Sequence, residues 1–502
     1  MNQNELPANQ FGKLSADFFN KRMFYNVLPI VIISSIMPHA MGRPGIGNML
    51  LTFFILLCAK ANGFTHKIIG FIFLALSIYI PVGLQYGRLK YSFLISALQT
   101  NISESQEFFG ELDYKSLYVM AICMIAIVFY LCSKPLVSLS RKKQWFAFIV
   151  LIALSSNSYP KKMVFAIVQY SQQAHAELGH LQKSLTGKDT FTGVTFTPKY
   201  KNVVVIVGES VAADYLSLYG YSHDTTPWLR TAAGYFATNY VSAAPNTYMS
   251  LPRTLSISDG LHQQTNNNIV TLSNKAGMET YWLSNQGYVG EFDTPSTVIA
   301  YNATHKVFLK GGDYNSNNTD DFELLDKLKS VVYKKTDKAI FMHMIGSHPD
   351  SCDRLNGYPI TFNIQGKEKI NCYLATINKL DSFVHQAIDV LNSSGESYAL
   401  VYFSDHGMTV DTSERPVRHG GEYQQNYKVP FFIMTSDKKD RTVINEPISA
   451  YSFLAIYEWL AGIHSQEVAP VSIDKSSTRN IQVFNGDRLM PFSELPNSII
   501  LN

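Results

Sequence analysis

The sequence predicts an α-helical membrane domain of five transmembrane helices, joined to an α/β domain with a mostly parallel central sheet. Three observations lead to this fold class. Residues up to about 157 are very apolar and carry few acids, whereas the remainder is polar. Only 16% of all residues are charged, against ~25% in soluble domains. In the polar part, short apolar runs alternate with helical patterns, which is typical of α/β architectures.

The length of 502 residues is too great for one ordinary domain. We expect a transmembrane domain over residues 1–160, a bridging segment over 161–195 and a soluble domain over 196–502. The start of the bridging segment fits either an interfacial helix or an ordinary linker helix. A net charge of only +3 argues against a nucleic-acid partner, because such a protein needs a strongly basic surface.

Five apolar segments are predicted to cross the membrane, and several are shorter than the ~20 residues of a straight span. They are residues 24–38, 48–61, 68–85, 117–132 and 145–156. With five spans, most of the basic residues in the connections lie on one side, which should be cytoplasmic. These are Lys13, Lys21, Arg22, Lys60, Lys67, Lys134, Arg141, Lys142 and Lys143. The soluble domain then lies outside, in the periplasm of a two-membrane bacterium.

Two cysteines, Cys352 and Cys372, lie in the polar part and are separated by a loop-like stretch. Two thiols in an exposed loop outside the cytosol suggest a disulfide. The alternative is a pair of unrelated free thiols.

Three continuous apolar runs have the character of strands buried on both faces. They are residues 203–207 (VVVIV), 339–344 (AIFMHM) and 399–403 (ALVYF), with helical patterns at 320–331 and 370–391. Ligands of such sheets collect beyond the carboxyl ends of the strands. Polar residues that can bind metals follow each run, which predicts one converging cluster; they are Glu209, His348, Asp405 and His406.

Carboxylate and imidazole ligands from separate strand ends suit zinc. Asp405 and His406 could both reach one ion if the chain turns tightly, and Gly407 permits such a turn. Glu209 supplies a third ligand. The alternative for the Asp405 segment is a capped helix N-terminus.

The fourth zinc ligand should be a hydroxyl, and Thr247 is our candidate for both this ligand and the nucleophile. Coordination to zinc lowers the pKa of a hydroxyl and activates it. Thr247 could instead cap a helix, and Ser210 and Ser250 are rival hydroxyls. His348 and His419 could bind a second metal, hold phosphate oxygens or protonate a leaving group.

At these residues the chain resembles the bacterial phosphoethanolamine transferases, membrane members of the sulfatase and alkaline phosphatase superfamily. The most specific stretch is residues 203–229, VVVIVGESVAADYLSLYGYSHDTTPWL. The resemblance implies a sulfatase-like catalytic domain and a Cys352–Cys372 disulfide. It also implies the zinc ligands and further active-site residues that match by position. The ligands are Glu209, Thr247, Asp405 and His406, the active-site histidines are His348 and His419, and the lipid-binding residues are Thr100 and Glu104.

The implied reaction transfers phosphoethanolamine from phosphatidylethanolamine to a lipopolysaccharide or another periplasmic glycan through a phosphoethanolamine-threonine. We expect one tightly bound zinc ion, with a second left open, and a monomer in the inner membrane. Glu104 would face the ammonium of the donor, unless it is simply a solvated loop acid. Ala243 and Arg253 stand roughly where family members often have a disulfide beside the nucleophile, so packing must supply that rigidity.

Two other functions stay open at this point. A phosphoglycerol transferase on the same fold would not need a carboxylate such as Glu104. A membrane-anchored binding or sensor protein with a degenerate site would hold no stoichiometric zinc. A true sulfatase is not expected, because no cysteine or serine stands in the C/S-x-P-S-R setting that matures to formylglycine.

Overall fold

A computed structural model describes most of the chain. The described residues are 9–91, 93–94, 112–133, 140–155, 158–286, 295–310, 319–412, 416–473 and 480–501. They divide into two compact units, an N-terminal helical unit that ends at Gln173 and a second unit from Ala174 onward.

Helices lie at each of the five predicted spans. The helices of the first part of the chain are α1 Asn9–Ala40, α2 Ile46–Ala59, α3 Gly63–Ser77, α4 Ile80–Tyr86, α5 Tyr114–Cys132, α6 Arg141–Ser155 and α7 Tyr159–Thr186. Within the described residues, α5 alone is long and apolar enough to cross a membrane as one straight helix. Shorter apolar helices are Tyr25–Ala40 and α2. The count of five spans therefore stays a prediction.

The third predicted span, residues 68–85, is not one helix. It is divided between α3 and α4, whose axes differ by 55°. The two helices are long and apolar enough to cross a membrane only when they are taken together. Pro81 lies in the first turn of α4. Proline lacks the N–H that a continuing helix needs but is well tolerated where a new helix begins. An apolar window cannot show such a break.

The second unit is built around a large sheet. Its strands are β1 Thr195–Phe196, β2 Asn202–Gly208, β3 Gly234–Val241, β4 Ser256–Ser258, β5 Gln263–Asn268, β6 Glu279–Ser284, β7 His305–Phe308, β8 Lys338–His343, β9 Tyr398–Ser404, β10 Thr409–Val410, β11 Val417–Arg418, β12 Lys428–Thr435, β13 Arg441–Ile444, β14 Ile448–Ser449, β15 Ile463–His464, β16 Gln482–Phe484 and β17 Leu489–Pro491. Its helices are α8 Thr247–Leu255, α9 Ile269–Lys275, α10 Pro295–Tyr301, α11 Glu323–Val332, α12 Glu368–Ser393 and α13 Phe453–Ala461.

The described strands of the main sheet follow the order β13-β3-β12-β9-β2-β8-β6-β7, with β14 also paired to β3. Strands β9, β2, β8, β6 and β7 run parallel. Strand β12 is antiparallel to both β3 and β9, so the sheet is mixed. All residues of β12 except the first are buried. A continuous apolar run indicates a buried strand but does not show whether that strand is parallel or antiparallel to its neighbours.

The predicted strands and helices form the layers of an α/β sandwich. The three apolar runs are β2, β8 and β9, and the two helical patterns are α11 and α12. Along β2, Val203, Val205 and Val207 belong to the apolar cluster that includes α8 and α13. Val204 and Ile206 belong to the cluster that includes α11 and α12. Alternate side chains of β2 are therefore buried on opposite faces, as its continuous apolar pattern predicts.

The predicted disulfide between Cys352 and Cys372 is confirmed. It joins the loop after β8 to the first turns of α12. Since Leu355, Cys372 and Ala375 form a small buried cluster beside it, the loop that carries His348 is held to that helix by both a covalent bond and packing.

Replacing both bridged cysteines with serine should lower the free energy of unfolding by about 3 kcal/mol, because the bridge closes a loop over a sequence separation of 20. Denaturant titration of the purified chain measures this loss. Serine at Cys132, an exposed free cysteine, is the matched control and should leave the midpoint unchanged. Equal midpoints for the two variants would contradict the stabilising role of the bridge.

Candidate active site

The site begins at the carboxyl ends of two paired parallel strands. Gly208 of β2 lies opposite Ser404 of β9, so the residues that follow, Glu209 and Asp405, leave the sheet at the same level. Both carboxylates are almost fully buried, with exposed fractions of 1% and 0%. One ligand atom from each of Glu209, Asp405 and His406 lies within 4.8 Å of the others. The strand register thus brings together three of the four residues of the predicted cluster, and His348 is not one of these three.

The His406 ring is oriented with one nitrogen toward the two carboxylates. Its Nδ1–H donates to the Gly407 carbonyl oxygen at 2.9 Å. Its Nε2 lies 3.2 Å from Glu209 Oε1 and 3.6 Å from Asp405 Oδ2. The ring nitrogen that faces the two carboxylates can bind a cation or carry a proton, and either one places positive charge between them. A backbone carbonyl that accepts from the other ring nitrogen is also the usual support for a metal-binding histidine.

One carboxylate oxygen of Asp405 accepts no hydrogen bond from the described residues and could bind such a cation. Its Oδ1 accepts from the backbone N–H of Ser210 at 3.2 Å and from that of His406 at 2.8 Å. Its buried Oδ2 has no hydrogen-bond partner among the described residues. A buried unpaired oxygen costs free energy unless a ligand satisfies it. Two carboxylates and one imidazole are ligands that zinc prefers, so the donor set fits this ion.

The electrostatics of the cluster also fit a bound cation. Burial and the charge of Glu209 raise the pKa of Asp405 to about 7. Burial alone would raise the pKa of Glu209, but the hydrogen bond with His406 and the charges of His406 and His348 hold it well below its usual range. Burial opposes protonation of His406, yet Asp405 and Glu209 raise its pKa to about 9. The protein alone therefore stabilises added positive charge here.

Gly407 is needed for a different reason from the one predicted. Its backbone φ is not positive, so the turn does not require the left-handed conformation that glycine favours. A Cβ at this position would instead overlap the carbonyl oxygen of Gln425. The turn after β9 thus depends on the close approach of two backbone segments.

Thr247 is the first residue of α8, and its hydroxyl belongs to the cluster. The N-cap of α8 is Asn246, whose side chain accepts from the Met249 N–H at 3.0 Å. The Thr247 hydroxyl donates to Glu209 Oε2 at 3.0 Å and lies 3.5 Å from His406 Nε2. The capping role that the sequence left open for Thr247 therefore belongs to Asn246.

The two rival hydroxyls are used to hold the cluster in place. Ser250 Oγ donates to the Asp405 carbonyl oxygen at 2.6 Å and is fully buried. Ser210 Oγ donates to Glu209 Oε1 at 2.6 Å, from a residue in the left-handed region with φ 63°. Thr247 is half-buried, whereas both serines are inaccessible. An incoming substrate can therefore reach Thr247 alone of these three hydroxyls.

His348 and His419 lie beside the cluster, as the sequence predicted from their positions. The His419 ring centroid is 5.5 Å from that of His348 and 5.1 Å from that of His406. Burial and the nearby His406 and His348 rings lower the pKa of His419 well below its usual value. His348 Nδ1 lies 2.7 Å from the Pro349 carbonyl oxygen, which also accepts from Arg354 Nη2 at 2.8 Å.

Comparison with known proteins places these residues in a family. A sequence model of the sulfatase family matches residues 201–463. This range includes all the candidate site residues described above, which are Glu209, Thr247, His348, Asp405, His406 and His419. The chain is also 32% identical to phosphoethanolamine transferase OpgE of Escherichia coli K12 over 436 residues. The match covers 80% of this chain and 81% of that protein. The chain belongs to the phosphoethanolamine transferases of the sulfatase family.

Solved structures of such transferases share the fold. Lipooligosaccharide phosphoethanolamine transferase A of Neisseria meningitidis, an integral membrane protein, matches with a TM-score of 0.60 at 18% identity, over 91% of this chain and 97% of that one. The zinc complex of the periplasmic domain of Escherichia coli EptC matches with a TM-score of 0.54 at 21% identity, over 62% of this chain and 98% of that one. At these identities the likeness supports the fold alone.

Two residues of this phosphoethanolamine transferase family site were not found from the sequence. Asp321 is buried and accepts from the N–H groups of Ile345 and Gly346, each at 2.9 Å, so it fixes the loop that leads to His348. Gln286 Nε2 donates to the Met344 carbonyl oxygen at 2.6 Å and lies 3.4 Å from Glu209 Oε2. An aspartate at the start of a helical pattern is typical of an ordinary helix cap, so no signal in the sequence distinguished Asp321.

Two further candidates cannot be placed. Thr100 and Glu104, which the family resemblance implies as contacts of the lipid donor, lie outside the described residues.

Proposed function

We propose that this chain is a zinc-dependent enzyme that transfers phosphoethanolamine from phosphatidylethanolamine to a lipopolysaccharide, at a core sugar or lipid A, or to another periplasmic glycan. Membership of the family supports phosphoethanolamine as the group that is transferred. The observation that supports the mechanism is the Thr247 hydroxyl, 3.0 Å from Glu209 Oε2 in a cluster whose donor set fits zinc.

In this proposal Glu209, Asp405 and His406 hold one zinc ion, and Thr247 completes its ligands. When bound, the ion lowers the pKa of the hydroxyl and neutralises charge on the phosphoryl oxygens. A second ion could also bind, with His348 and His419, whose rings lie beside the cluster, as candidate ligands.

The chain itself orients the nucleophile. Thr247 occupies the first turn of α8, a helix of nine residues. The positive end of a helix dipole stabilises negative charge in its first turn. The Ser210 hydroxyl, through its bond to the Glu209 carboxylate, limits how far that carboxylate can move as charge develops on the Thr247 oxygen. Ser250 holds the main chain of Asp405 through the bond to its carbonyl oxygen.

The reaction takes place in two displacements. In the first, Thr247 Oγ1 forms a bond to phosphorus, and the bond from phosphorus to the diacylglycerol oxygen breaks. The hydroxyl proton ends on the diacylglycerol, and in this proposal His348 or His419 delivers it. In the second, an acceptor hydroxyl attacks the same phosphorus, the bond to Thr247 breaks, and the acceptor proton returns to Thr247. Two such steps give ping-pong kinetics.

The N-terminal helices serve, in this proposal, to hold the enzyme in the inner membrane with its lipid donor. Five spans would place the catalytic domain in the periplasm, where the Cys352–Cys372 disulfide is stable. Thr100 and Glu104 would hold the donor head group, with the Glu104 carboxylate facing its ammonium. We expect the enzyme to act as a monomer.

Mass spectrometry of the full chain incubated with phosphatidylethanolamine tests the proposed intermediate. We expect a phosphoethanolamine adduct on a single peptide, with fragmentation assigning it to Thr247. Phosphatidylglycerol offered in place of phosphatidylethanolamine should give no adduct. An adduct on Ser210 or Ser250 would refute the assigned nucleophile, and an adduct from phosphatidylglycerol alone would favour a phosphoglycerol transferase.

A further inference from the structure

We propose that the C-terminal hairpin positions the nucleophile, because a single residue of β16, Phe484, holds both ends of the segment that carries Thr247. This inference rests on the proposed function of Thr247. We call Ala243, Arg253 and Phe484 the hairpin anchor. Phe484 and Arg253 are positioning residues in this proposal, since neither belongs to the metal-binding cluster.

The hairpin is itself firmly packed. Strands β16 and β17 pair antiparallel, with Phe484 opposite Leu489. Ile481 and Val483 are buried in an apolar cluster with Val241, at the end of β3, and with Tyr427. The hairpin therefore offers a fixed surface beside the chain that leaves β3 toward Thr247.

One end of the nucleophile segment is bound to the hairpin through the main chain. The Phe484 N–H donates to the Ala243 carbonyl oxygen at 2.9 Å. The Tyr451 hydroxyl lies 3.4 Å from the same oxygen. Ala243 is fully buried and stands four positions before Thr247, so this bond limits movement of the chain that enters α8.

The other end is bound through the Phe484 ring. The Arg253 guanidinium lies over this ring, with 4.1 Å from Cζ to the centroid. Arg253 is 6% exposed, so the cation–π contact is shielded from water, which strengthens it. Arg253 Nη1 also donates to the Met249 carbonyl oxygen and Nε to that of Gly260, each at 2.8 Å.

Helix α8 needs such external support. It is short, and Pro252 within it cannot donate a backbone hydrogen bond to the preceding turn. Short helices depend on tertiary contacts more than on intrinsic propensity. With Ala243 and Arg253 both bound to Phe484, the segment cannot slide away from Glu209 and His406. Glu209 directly follows β2 and His406 follows β9 by two residues, and the pairing of these two strands places both.

The test compares two identical substitutions, Phe484→Leu within β16 and Phe492→Leu directly after β17. Phe492 packs on the same apolar cluster and is the matched control. In full-length, zinc-loaded protein, Phe484→Leu should slow formation of the Thr247 adduct by about tenfold or more, since small misplacement of reacting atoms costs up to ~100-fold. Its zinc content and its KM for phosphatidylethanolamine should match those of Phe492→Leu.

Hydrogen exchange and a second pair of variants complete the test. Amides of α8 should exchange faster in Phe484→Leu than in Phe492→Leu. Arg253→Met should slow adduct formation in the same way, and Arg253→Lys, which keeps a cation over the ring, should restore part of the rate.

Equal rates and equal exchange in the two leucine variants would overturn the proposal, as would loss of zinc in Phe484→Leu alone. If wild-type protein forms no adduct on Thr247, the proposed function fails, and the exchange comparison still decides whether the anchor holds α8.

Discussion

Replacing Thr247 with alanine is expected to abolish phosphoethanolamine transfer, lowering the rate by roughly 10⁴-fold or more, as removal of other covalent nucleophiles does. The substitution removes the hydroxyl that bonds to Glu209 and lies beside His406, and that alone of the three candidates, Thr247, Ser210 and Ser250, is not fully buried. It leaves the helix cap intact, because Asn246 provides it. Transfer of labelled head group from phosphatidylethanolamine measures the rate. Thr247→Ser keeps a hydroxyl and should retain part of it.

Ser250→Ala provides the control for this experiment. It removes a buried hydroxyl from the same helix, and the lost bond to the Asp405 carbonyl should cost about 1 kcal/mol of stability. It should still allow an adduct to form. If Ser250→Ala abolished the adduct while Thr247→Ala left it intact, the assignment of the nucleophile would be reversed.

Replacing Asp405 with asparagine should prevent the enzyme from binding stoichiometric zinc. The variant should therefore also lose transfer activity. The buried Asp405 carboxylate supplies an oxygen with no hydrogen-bond partner among the described residues and part of the negative charge that attracts a cation. Loss of a supporting partner of a metal ligand already costs ~10–100-fold in affinity, so loss of a ligand should cost at least that much. Elemental analysis of dialysed protein measures the zinc, and the transfer assay measures activity.

Asp381→Asn is the matched control, because Asp381 is also a buried aspartate that accepts two backbone bonds, from Trp228 and Leu229. This variant should keep its zinc. A wild-type chain that binds no zinc would instead support the reading of a non-catalytic binding protein with a degenerate site.

The sequence was informative about the site for a physical reason. Strands buried on both faces must be continuously apolar, so β2, β8 and β9 were visible as runs, and the polar residues after them stood out. Parallel neighbours end at the same edge, which brings Glu209 beside Asp405 without further information. Cys352 and Cys372 were likewise predictable as a pair from their location in the polar part of the chain.

The sequence was uninformative wherever a side chain acts through a distant backbone group. Nothing local marks Ser250 as the donor to the Asp405 carbonyl oxygen, or Asp321 as the acceptor for Ile345 and Gly346. The break before Pro81 in the third apolar segment was also hidden, because hydropathy averages over the turn between two helices. The antiparallel direction of β12 carries no signature of its own.

The amino-acid pattern alone determined the α/β layers, the edge of the sheet where the polar residues gather, and the ligand types that suit zinc. Tertiary structure decided which hydroxyl faces the cluster. It assigned the cap of α8 to Asn246, gave Ser210 and Ser250 positioning roles, and left Thr247 accessible. The reason is that hydrophobic periodicity is written along the chain, whereas the partner of a buried polar atom is chosen by segments far apart in sequence.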